Sequence, residues 1–209
     1  EVLLLDEPFA ALDGATRRAL HGELLALLAE LPVPTLLVTH QLEEAYALSR
    51  HIAVYEAGRV VQCGPREEVF QRPATLGAAV QMGFLNRLEG EVVAADGLGT
   101  RVRVGAWELL GSPADLRPGQ RAVCAIRPEH VMLVRKDRPL QSPAGSVLSG
   151  EIVEEIDYGG DVLLLFRSDP PGVELQVRLP GYVYRRLNLA ADKRWAVMLR
   201  QGDVRVFPT

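Results

Sequence analysis

The sequence predicts a two-part fold, in which an α/β segment is followed by an all-β segment. Up to residue 83, short apolar runs alternate with helical patterns, as in a parallel sheet flanked by helices. From residue 86 onward, short alternating apolar runs are separated by Gly, Pro, Asp and Asn, which is typical of a small β-barrel or sandwich. We therefore expect one domain at residues 1–83 and a β-rich domain at residues 86–209.

The first predicted strand is the apolar run at residues 2–5, which is followed by Asp6 and Glu7. A continuous apolar run is typical of a strand that is buried on both faces of a parallel sheet. A helix is predicted behind Asp13, because this residue is a favourable N-cap and leucines follow it at helical spacing. These leucines are Leu20, Leu24, Leu27, Leu28 and Leu31, and Pro32 and Pro34 end the segment.

A second buried strand is predicted at residues 35–39, and it ends at His40. A short helix is expected to follow at residues 42–49. Residues 52–63 predict a hairpin, because two apolar segments face each other across Gly58. Two further short helices are expected at residues 65–71 and 75–82.

The sequence of the β-rich domain predicts an internal repeat. The segment at residues 90–93 recurs at 150–153, and residues 126–133 have a looser counterpart at 199–206. Two β segments can share such patterns by chance, which is the alternative to a duplication. Residues 136–149 are rich in Pro, Ser and Gly and predict a linker between two halves. The two expected halves are residues 86–135 and 148–209.

The composition excludes several functional classes. The formal net charge of −4 does not favour binding to nucleic acid or to an acidic membrane surface. No apolar run approaches the roughly 20 residues that a membrane-spanning helix needs. The two cysteines, Cys63 and Cys124, are expected to be small buried thiols in a reducing compartment. The chain begins inside a strand-like run and has no leader pattern, so we expect it to be part of a longer protein.

Acidic and imidazole side chains follow the two predicted parallel strands. Because ligands bind beyond the carboxyl ends of such strands, Asp6, Glu7 and His40 are expected at one edge of the sheet. Phosphoryl transfer requires side chains of these types: one carboxylate to bind Mg²⁺, a second carboxylate to orient or deprotonate water, and a hydrogen-bond donor for the γ-phosphate. The alternative is that His40 is a packed structural residue, as a single strand-end histidine usually is. The order and spacing together indicate phosphoryl transfer.

The same residues resemble the motifs of ABC ATPases. Residues 5–8 resemble their Walker B segment, residues 11–13 their D-loop, and His40 their switch histidine. Residues 58–65 are similar to the stretch that closes the nucleotide-binding domain of importer ATPases. Further on, residues 86–90 and 126–130 resemble the transport-associated oligomer-binding (TOBE) regulatory β domain of these importers. The predicted fold is therefore part of a P-loop ABC ATPase domain followed by an OB-like regulatory domain with two repeats.

The resemblance implies a role for each motif residue. It implies that Asp6 binds Mg²⁺ through water, that Glu7 is the general base, that His40 contacts the γ-phosphate, and that Asp13 reaches across a dimer interface. The implied cofactors are ATP and Mg²⁺. In the family, the glycine-rich phosphate loop, the Gln-loop and the signature motif lie upstream of Walker B, and none of them is present in this sequence. We therefore expect this chain alone to be inactive and to bind neither cofactor tightly.

The resemblance also implies partners and a location. These are a second copy of the subunit, transmembrane permease subunits and, indirectly, a binding protein, at the cytoplasmic face of the cell membrane. Residues 177–197 resemble the molybdate-binding type of β domain, which favours molybdate, tungstate or sulfate as solute and as a ligand of this domain. Polyamine, iron and sugar importers remain open. Candidate anion ligands are Ser146, Ser149, Arg178 and Lys193.

Two other functional readings are weighed against the importer ATPase. The chain is a binding module if its β-rich domain acts by sensing an anion or by holding two subunits together. The soluble ABC ATPases of DNA repair share the Walker B chemistry, but no basic stripe is present to bind DNA.

Overall fold

The computed structural model describes residues 2–30, 33–137 and 144–209. The chain divides into two compact units, Glu1–Met82 and Gly83–Thr209. Leu31 and Pro32, at the end of the predicted first helix, lie outside the described residues, as do residues 138–143 of the predicted linker. Among the described helices, none is both long and apolar enough to cross a membrane.

The first unit alternates strands and helices, as predicted. Its elements are β1 Leu3–Asp6, α1 Gly14–Glu30, β2 Thr35–Val38, α2 Leu42–Leu48, β3 His51–Glu56, β4 Arg59–Pro65, α3 Arg66–Gln71 and α4 Leu76–Gln81. Strands β1 and β2 pair in parallel, with Asp6 opposite Val38. Strands β3 and β4 form the predicted hairpin. Its turn residues, Ala57 and Gly58, both have positive φ, which suits the right-handed twist of the strands.

Strands β1 and β2 are not buried on both faces, so that part of the prediction is wrong. Their side chains alternate between half-buried and exposed. On the open face, Val2, Leu4, Leu36 and Val38 are between 51% and 65% exposed. The physical reason is that the described elements cover only one face of this two-stranded sheet. The prediction of helix α1 is confirmed, but its leucines are half-buried or exposed.

The second unit contains two five-stranded sheets. Its first half comprises β5 Asn86–Ala95, β6 Thr100–Val104, β7 Trp107–Gly111, β8 Arg121–Ile126 and β9 Met132–Leu133. Its second half comprises β10 Gly145–Asp157, β11 Asp161–Ser168, β12 Glu174–Pro180, α5 Gly181–Arg186, β13 Arg194–Arg200 and β14 Arg205–Pro208. The sheet orders are β14-β8-β5-β6-β7 and β12-β11-β10-β13-β9. The last strand of each half, β9 or β14, therefore pairs within the sheet of the other half.

The strand register repeats between the two halves. Gly90 of β5 lies opposite Ala122 of β8, and Gly150 of β10 lies opposite Trp195 of β13. Both β5 and β10 are interrupted by a bulge just after these glycines. Short 3₁₀ turns, Pro128–His130 and Gln201–Asp203, precede the two exchanged strands. The arrangement agrees with the predicted duplication, although β10 begins before the predicted start of the second half at residue 148.

One hydrophobic core joins both sheets of the second unit. Its members come from both halves, and the largest fully buried ones are Leu109, Ile126, Leu148, Leu164, Phe166, Leu175, Leu189 and Leu199. Cys124 lies in this core, and burial raises the pKa of its thiol to about 12. Cys63 is exposed on the β3–β4 hairpin. The prediction of buried thiols is therefore confirmed for Cys124 and wrong for Cys63, because the hairpin has an open face.

Candidate functional site

The parallel pairing of β1 and β2 brings their carboxyl ends to one edge of the sheet. Asp6 is the last residue of β1 and is exposed there. The backbone N–H of Glu7 donates to the carbonyl of Val38 across the edge, at 2.9 Å. His40 lies just beyond β2. The structure thus places Asp6, Glu7 and His40 at the same edge, as the sequence predicts.

Glu7 and His40 are in direct contact. Nδ1 of His40 is 2.8 Å from Oε1 of Glu7, and the backbone N–H of His40 donates to the same oxygen at 3.0 Å. The Glu7 side chain is 33% exposed and the His40 side chain is 72% exposed. An ionised carboxylate only accepts hydrogen bonds, so this contact requires the ring proton on Nδ1. The Nε2 atom of His40 then remains available for another partner.

The backbone of Glu7 is strained. Its φ of 44° lies in the left-handed region, which residues with a side chain other than glycine adopt at a cost. The following turn is closed by hydrogen bonds from the N–H of Ala10 to the carbonyl of Glu7 and from the N–H of Leu12 to that of Phe9, both at 3.2 Å. Strained residues persist where their surroundings hold them, and they are frequent at active sites.

Asp13 caps helix α1. Its Oδ1 accepts from the backbone N–H groups of Ala15 and Thr16, at 3.0 and 3.1 Å, and its Oδ2 accepts from the hydroxyl of Thr16 at 2.7 Å. The Thr16 hydroxyl, followed by these N–H groups, lowers the pKa of the Asp13 carboxyl. None of the contacts described for Asp13 involves Glu7 or His40. The structure therefore does not bring this fourth candidate into the Glu7–His40 pair.

The residues at the edge fit Mg²⁺ only in part. Mg²⁺ in nucleotide sites takes one or two carboxylates together with phosphate oxygens and water. Asp6 and Glu7 supply two carboxylates at one place. Within the described ranges, no cluster of three or more His, Cys, Asp or Glu side chains is arranged to hold a metal by itself. The metal would therefore need oxygens from a bound nucleotide.

A buried polar cluster lies behind this edge, and sequence reasoning missed it. Glu44, in the first turn of α2, is 2% exposed. Its Oε2 accepts from the hydroxyl of Thr39 at 2.6 Å. Its Oε1 faces Nε of Arg17 at 3.8 Å and Nε2 of His21 at 3.7 Å. The only sequence signal for this cluster is the adjacent pair Glu43 and Glu44, and the sequence does not show which of the two is buried.

The second unit has a cavity of about 300 Å³. It is lined by Val134, Arg135, Lys136, Ser149, Gly150, Asp169, Arg194, Trp195 and Ala196. Lys136 also lies over the ring of Trp195, 5.0 Å from its centre. Each cation has a carboxylate partner: Asp137 for Arg135, Asp192 for Lys136, and Asp169 for Arg194. Three cations, one carboxylate and one serine hydroxyl therefore line the cavity, and an anion that binds there has to compete with the carboxylate partners of the cations.

The four candidate anion ligands do not converge. Only Ser149 lines the cavity. The hydroxyl of Ser146 accepts a hydrogen bond from the backbone N–H of Leu110 at 2.8 Å, and Ser146 does not line the cavity. Both candidate cations form ion pairs: Arg178 is 3.0 Å from the carboxylate of Asp161, and Lys193 is 2.6 Å from that of Glu155. The sequence prediction is corrected accordingly, because each of these cations pairs with a carboxylate that does not line the cavity.

Comparison with known proteins identifies relatives of one kind. No protein-family model matches the chain. It is 36% identical to the spermidine/putrescine import ATP-binding protein PotA of Nitratidesulfovibrio vulgaris over 78% of the chain and 45% of the relative. It is 36% identical to the molybdate/tungstate import ATP-binding protein WtpC of Thermococcus kodakarensis over 78% of the chain and 46% of the relative. For the sulfate/thiosulfate import ATP-binding protein CysA 2 of Chromobacterium violaceum, the identity is 32% over 99% of the chain and 54% of the relative.

The chain spans about half the length of these curated relatives. Among solved structures, it is similar to the cytoplasmic molybdate-binding protein ModG in a form with molybdate bound. The TM-score is 0.54, and the match covers 60% of this chain and 96% of ModG. At 14% identity, this likeness shows a shared fold alone.

Proposed function

Because the chain is homologous over most of its length to the ATP-binding proteins of ABC importers, we propose that it is the C-terminal part of an ATPase subunit that powers solute import. The single observation that supports the catalytic part of this proposal is the contact between Glu7 and His40. It joins a carboxylate and an imidazole at the carboxyl edge of two parallel strands, where ligands of such sheets bind.

The proposed roles follow from the atoms that remain available. ATP with Mg²⁺, when bound, supplies the phosphoryl group that is transferred to water. Oε1 of Glu7 is held by two donors of His40, so Oε2 is the oxygen that accepts the proton of the attacking water. Nδ1 of His40 already donates to Glu7, so Nε2 donates to the γ-phosphate in the imidazolium form, in which both ring nitrogens carry a proton. Asp6, exposed at the same edge, binds Mg²⁺ through water.

The proposal includes a second copy of the subunit, permease subunits and an indirect link to a binding protein. In it, the loop ending at Asp13 faces the second copy, and the hydrogen bonds that Asp13 accepts hold that loop in shape. The subunit works at the cytoplasmic face of the cell membrane, and nucleic acid is not a partner. By itself this chain hydrolyses no ATP and binds ATP and Mg²⁺ weakly, because its sequence contains no glycine-rich phosphate loop, Gln-loop or signature motif.

The test of this function uses a protein in which these upstream motifs precede the chain. We expect Glu7→Gln to retain ATP binding and to lose about 10²–10⁴-fold in turnover, the usual contribution of a general base. His40→Ala should be similarly slow. Glu43→Gln, an exposed carboxylate on α2, is the matched control and should hydrolyse ATP normally. Near-normal turnover of Glu7→Gln would show that Glu7 is not the base.

A second candidate function belongs to the second unit. We infer that it binds a small oxyanion, molybdate, tungstate or sulfate, in the cavity lined by Arg135, Lys136, Ser149 and Arg194. In this proposal the oxyanion replaces the carboxylate partners of the three cations, and the serine hydroxyl and the fold shared with a molybdate-binding protein support it. The competing role is that the unit only holds two subunits together. For the imported solute, an oxyanion is the first choice, with polyamine, iron or sugar as alternatives.

Calorimetry of the chain with molybdate, sulfate and spermidine separates these roles. We expect heat on adding an oxyanion, a loss of that heat in Arg194→Ala, and none with spermidine. Arg178→Ala is the matched control, because Arg178 pairs with Asp161 outside the cavity. If millimolar oxyanion gives neither heat nor a rise in melting temperature, the oxyanion role is wrong and the purely dimerising role stands.

A further inference from the structure

We propose that Arg17 and Glu44 are positioning residues, which clamp the loop that carries His40 to the loop that follows Glu7. This inference rests on the proposed function, since it concerns the same Glu7–His40 pair. Neither residue has a described contact with the side chain of Glu7 or His40. They act through the backbone segments on either side of the pair, at Leu12 and at residues 39–41.

Glu44 fixes the segment around His40 through Thr39. The Thr39 hydroxyl donates to Oε2 of Glu44 at 2.6 Å and accepts from the backbone N–H of Gln41 at 3.1 Å. These two hydrogen bonds anchor the residues immediately before and after His40. Because Glu44 is almost fully buried, the energetic penalty of leaving its carboxylate without partners favours the arrangement in which Thr39 donates to it.

Arg17 connects the two loops. Its Nη1 donates to Oε1 of Gln41 at 2.9 Å, and its Nη2 donates to the carbonyl of Leu12 at 3.0 Å. Its Nε faces Oε1 of Glu44 at 3.8 Å. The planar guanidinium hydrogen-bonds to both loops at once and lies beside the buried carboxylate without a hydrogen bond to it, and the single ammonium of a lysine cannot span the two loops. Leu12 precedes Asp13, which caps the helix that carries Arg17. Arg17 therefore binds back to the loop that leads into its own helix.

His21 completes the cluster on the side of the strained turn. Its Nε2 is 3.7 Å from Oε1 of Glu44. Its ring meets the ring of Phe9 edge-on, with 4.6 Å between centres, and Phe9 is buried in the turn that follows Glu7. The cluster therefore packs against both loops. Its rigidity accounts for how Glu7 is held at a φ of 44° with its carboxylate against His40.

The test is the tautomer of His40, measured by ring ¹⁵N NMR in the 209-residue chain, which contains only four histidines. The spectra are recorded at about pH 8, and in the neutral form of the His40 ring the contact with Glu7 holds the proton on Nδ1. In Glu44→Ala and Arg17→Ala we expect the ratio of Nδ1–H to Nε2–H forms to fall by about fivefold, the equivalent of one ordinary hydrogen bond. Glu43→Ala and Arg18→Ala, exposed neighbours on the same helices, should leave the ratio unchanged.

Arg17→Lys distinguishes positioning from charge. It keeps the positive charge but cannot span Gln41 and Leu12, so we expect it to shift the tautomer ratio as Arg17→Ala does. The rings of His51 and His130, which lie outside the cluster, report that each variant is folded. If Glu44→Ala does not fold, Arg17→Lys decides the question.

Two outcomes would overturn the inference, and they differ in what else they affect. If Glu7→Ala shifts the ratio but neither Arg17→Lys nor Glu44→Ala does, the clamp is wrong and the Glu7–His40 pair stands. If Glu7→Ala itself leaves the ratio unchanged, the pair is absent in solution, and the proposed function loses its supporting observation as well.

Discussion

At the residue scale, one oxygen atom organises the candidate site. Oε1 of Glu7 accepts from both the ring and the backbone of His40, so the carboxylate has a defined direction although a third of it is exposed. A catalytic base needs such orientation, because proton transfer requires hydrogen-bond reach to the reacting water. The strained φ of Glu7 is consistent with a residue selected for its position rather than for backbone stability.

The cap at Asp13 predicts a pH-dependent contribution to stability. Hydrogen bonds hold the pKa of Asp13 below its ordinary value of 3.8, so its ionised form is favoured in the folded state. A lowered folded-state pKa stabilises the protein above the ordinary value, and this contribution disappears as the pH falls through the lowered value. We therefore expect Asp13→Ala to lower the melting temperature at about pH 7 and to have a smaller effect at about pH 3.

Asp13→Asn is the matched variant. Asparagine is an equally favourable N-cap but cannot ionise, so the melting temperature of this variant should be close to that of the wild type near neutral pH. In acid the wild type loses the contribution of its ionised carboxylate, so Asp13→Asn should become the more stable of the two. An Asp13→Ala effect that stays constant across this range would show that ionisation of Asp13 contributes nothing.

The two thiols should differ in reactivity. Alkylation requires the thiolate, and the pKa of about 12 leaves buried Cys124 almost entirely protonated near neutral pH. Cys63 is exposed on β4. We expect iodoacetamide to modify one thiol in the native chain and two after unfolding, as counted by mass spectrometry. In Cys63→Ser, modification of the native chain should be lost, and persistent labelling would contradict the burial of Cys124.

At the scale of elements, equivalent glycines in β5 and β10 allow the backbone of a neighbouring strand to approach closely. A Cβ atom at Gly90 would lie 2.3 Å from the carbonyl oxygen of Arg103, and one at Gly150 would lie 2.1 Å from that of Arg167. Both distances are far below van der Waals contact, and the obstacle is backbone rather than a movable side chain. These glycines occupy the same place relative to the bulges of β5 and β10, so the duplication extends to the packing.

Alanine at either glycine should therefore destabilise the second unit. We expect Gly90→Ala and Gly150→Ala each to cost about 3 kcal/mol in the free energy of unfolding, at the upper end of overpacking effects. Gly97→Ala and Gly202→Ala are controls, because a Cβ atom at either position meets no atom within 4 Å. They should stay within about 0.5 kcal/mol of the wild type in urea unfolding. Equal stability of Gly150→Ala and Gly202→Ala would contradict this close approach.

At the scale of the whole molecule, the exposed apolar face of β1 and β2 predicts self-association. Contiguous apolar surface of this kind and open strand edges favour contacts between molecules. Leu4 and Leu36 lie opposite each other in the parallel pair. We expect the double variant Leu4→Lys, Leu36→Glu to reduce light scattering and binding of an apolar dye severalfold, because it replaces apolar surface with an opposite-charge pair.

Leu98→Lys is the control for this surface. Leu98 is 84% exposed and belongs to the second unit, not to the β1–β2 sheet. The charge it introduces should leave both readouts as in the wild type. A wild-type chain that is strictly monomeric at high concentration and binds no dye would show that the exposed face is not adhesive.

The sequence by itself determined the order of elements and the edge where Asp6, Glu7 and His40 meet. Apolar periodicity, turn residues and the helix cap at Asp13 are local signals, and parallel pairing places the residues that follow neighbouring strands together. The repeat around Gly90 and Gly150 was visible for the same reason.

Only the tertiary structure decided which of several similar residues are buried and which meet. Glu43 and Glu44 are chemically identical neighbours, yet Glu44 is buried because α2 turns it toward Arg17 and His21, which come from another helix. Likewise, all five candidate cations pair with carboxylates, but only Arg135, Lys136 and Arg194 line the cavity, whereas Arg178 and Lys193 do not. Burial and pairing depend on contacts between distant segments, and periodicity along one segment contains no information about its partner.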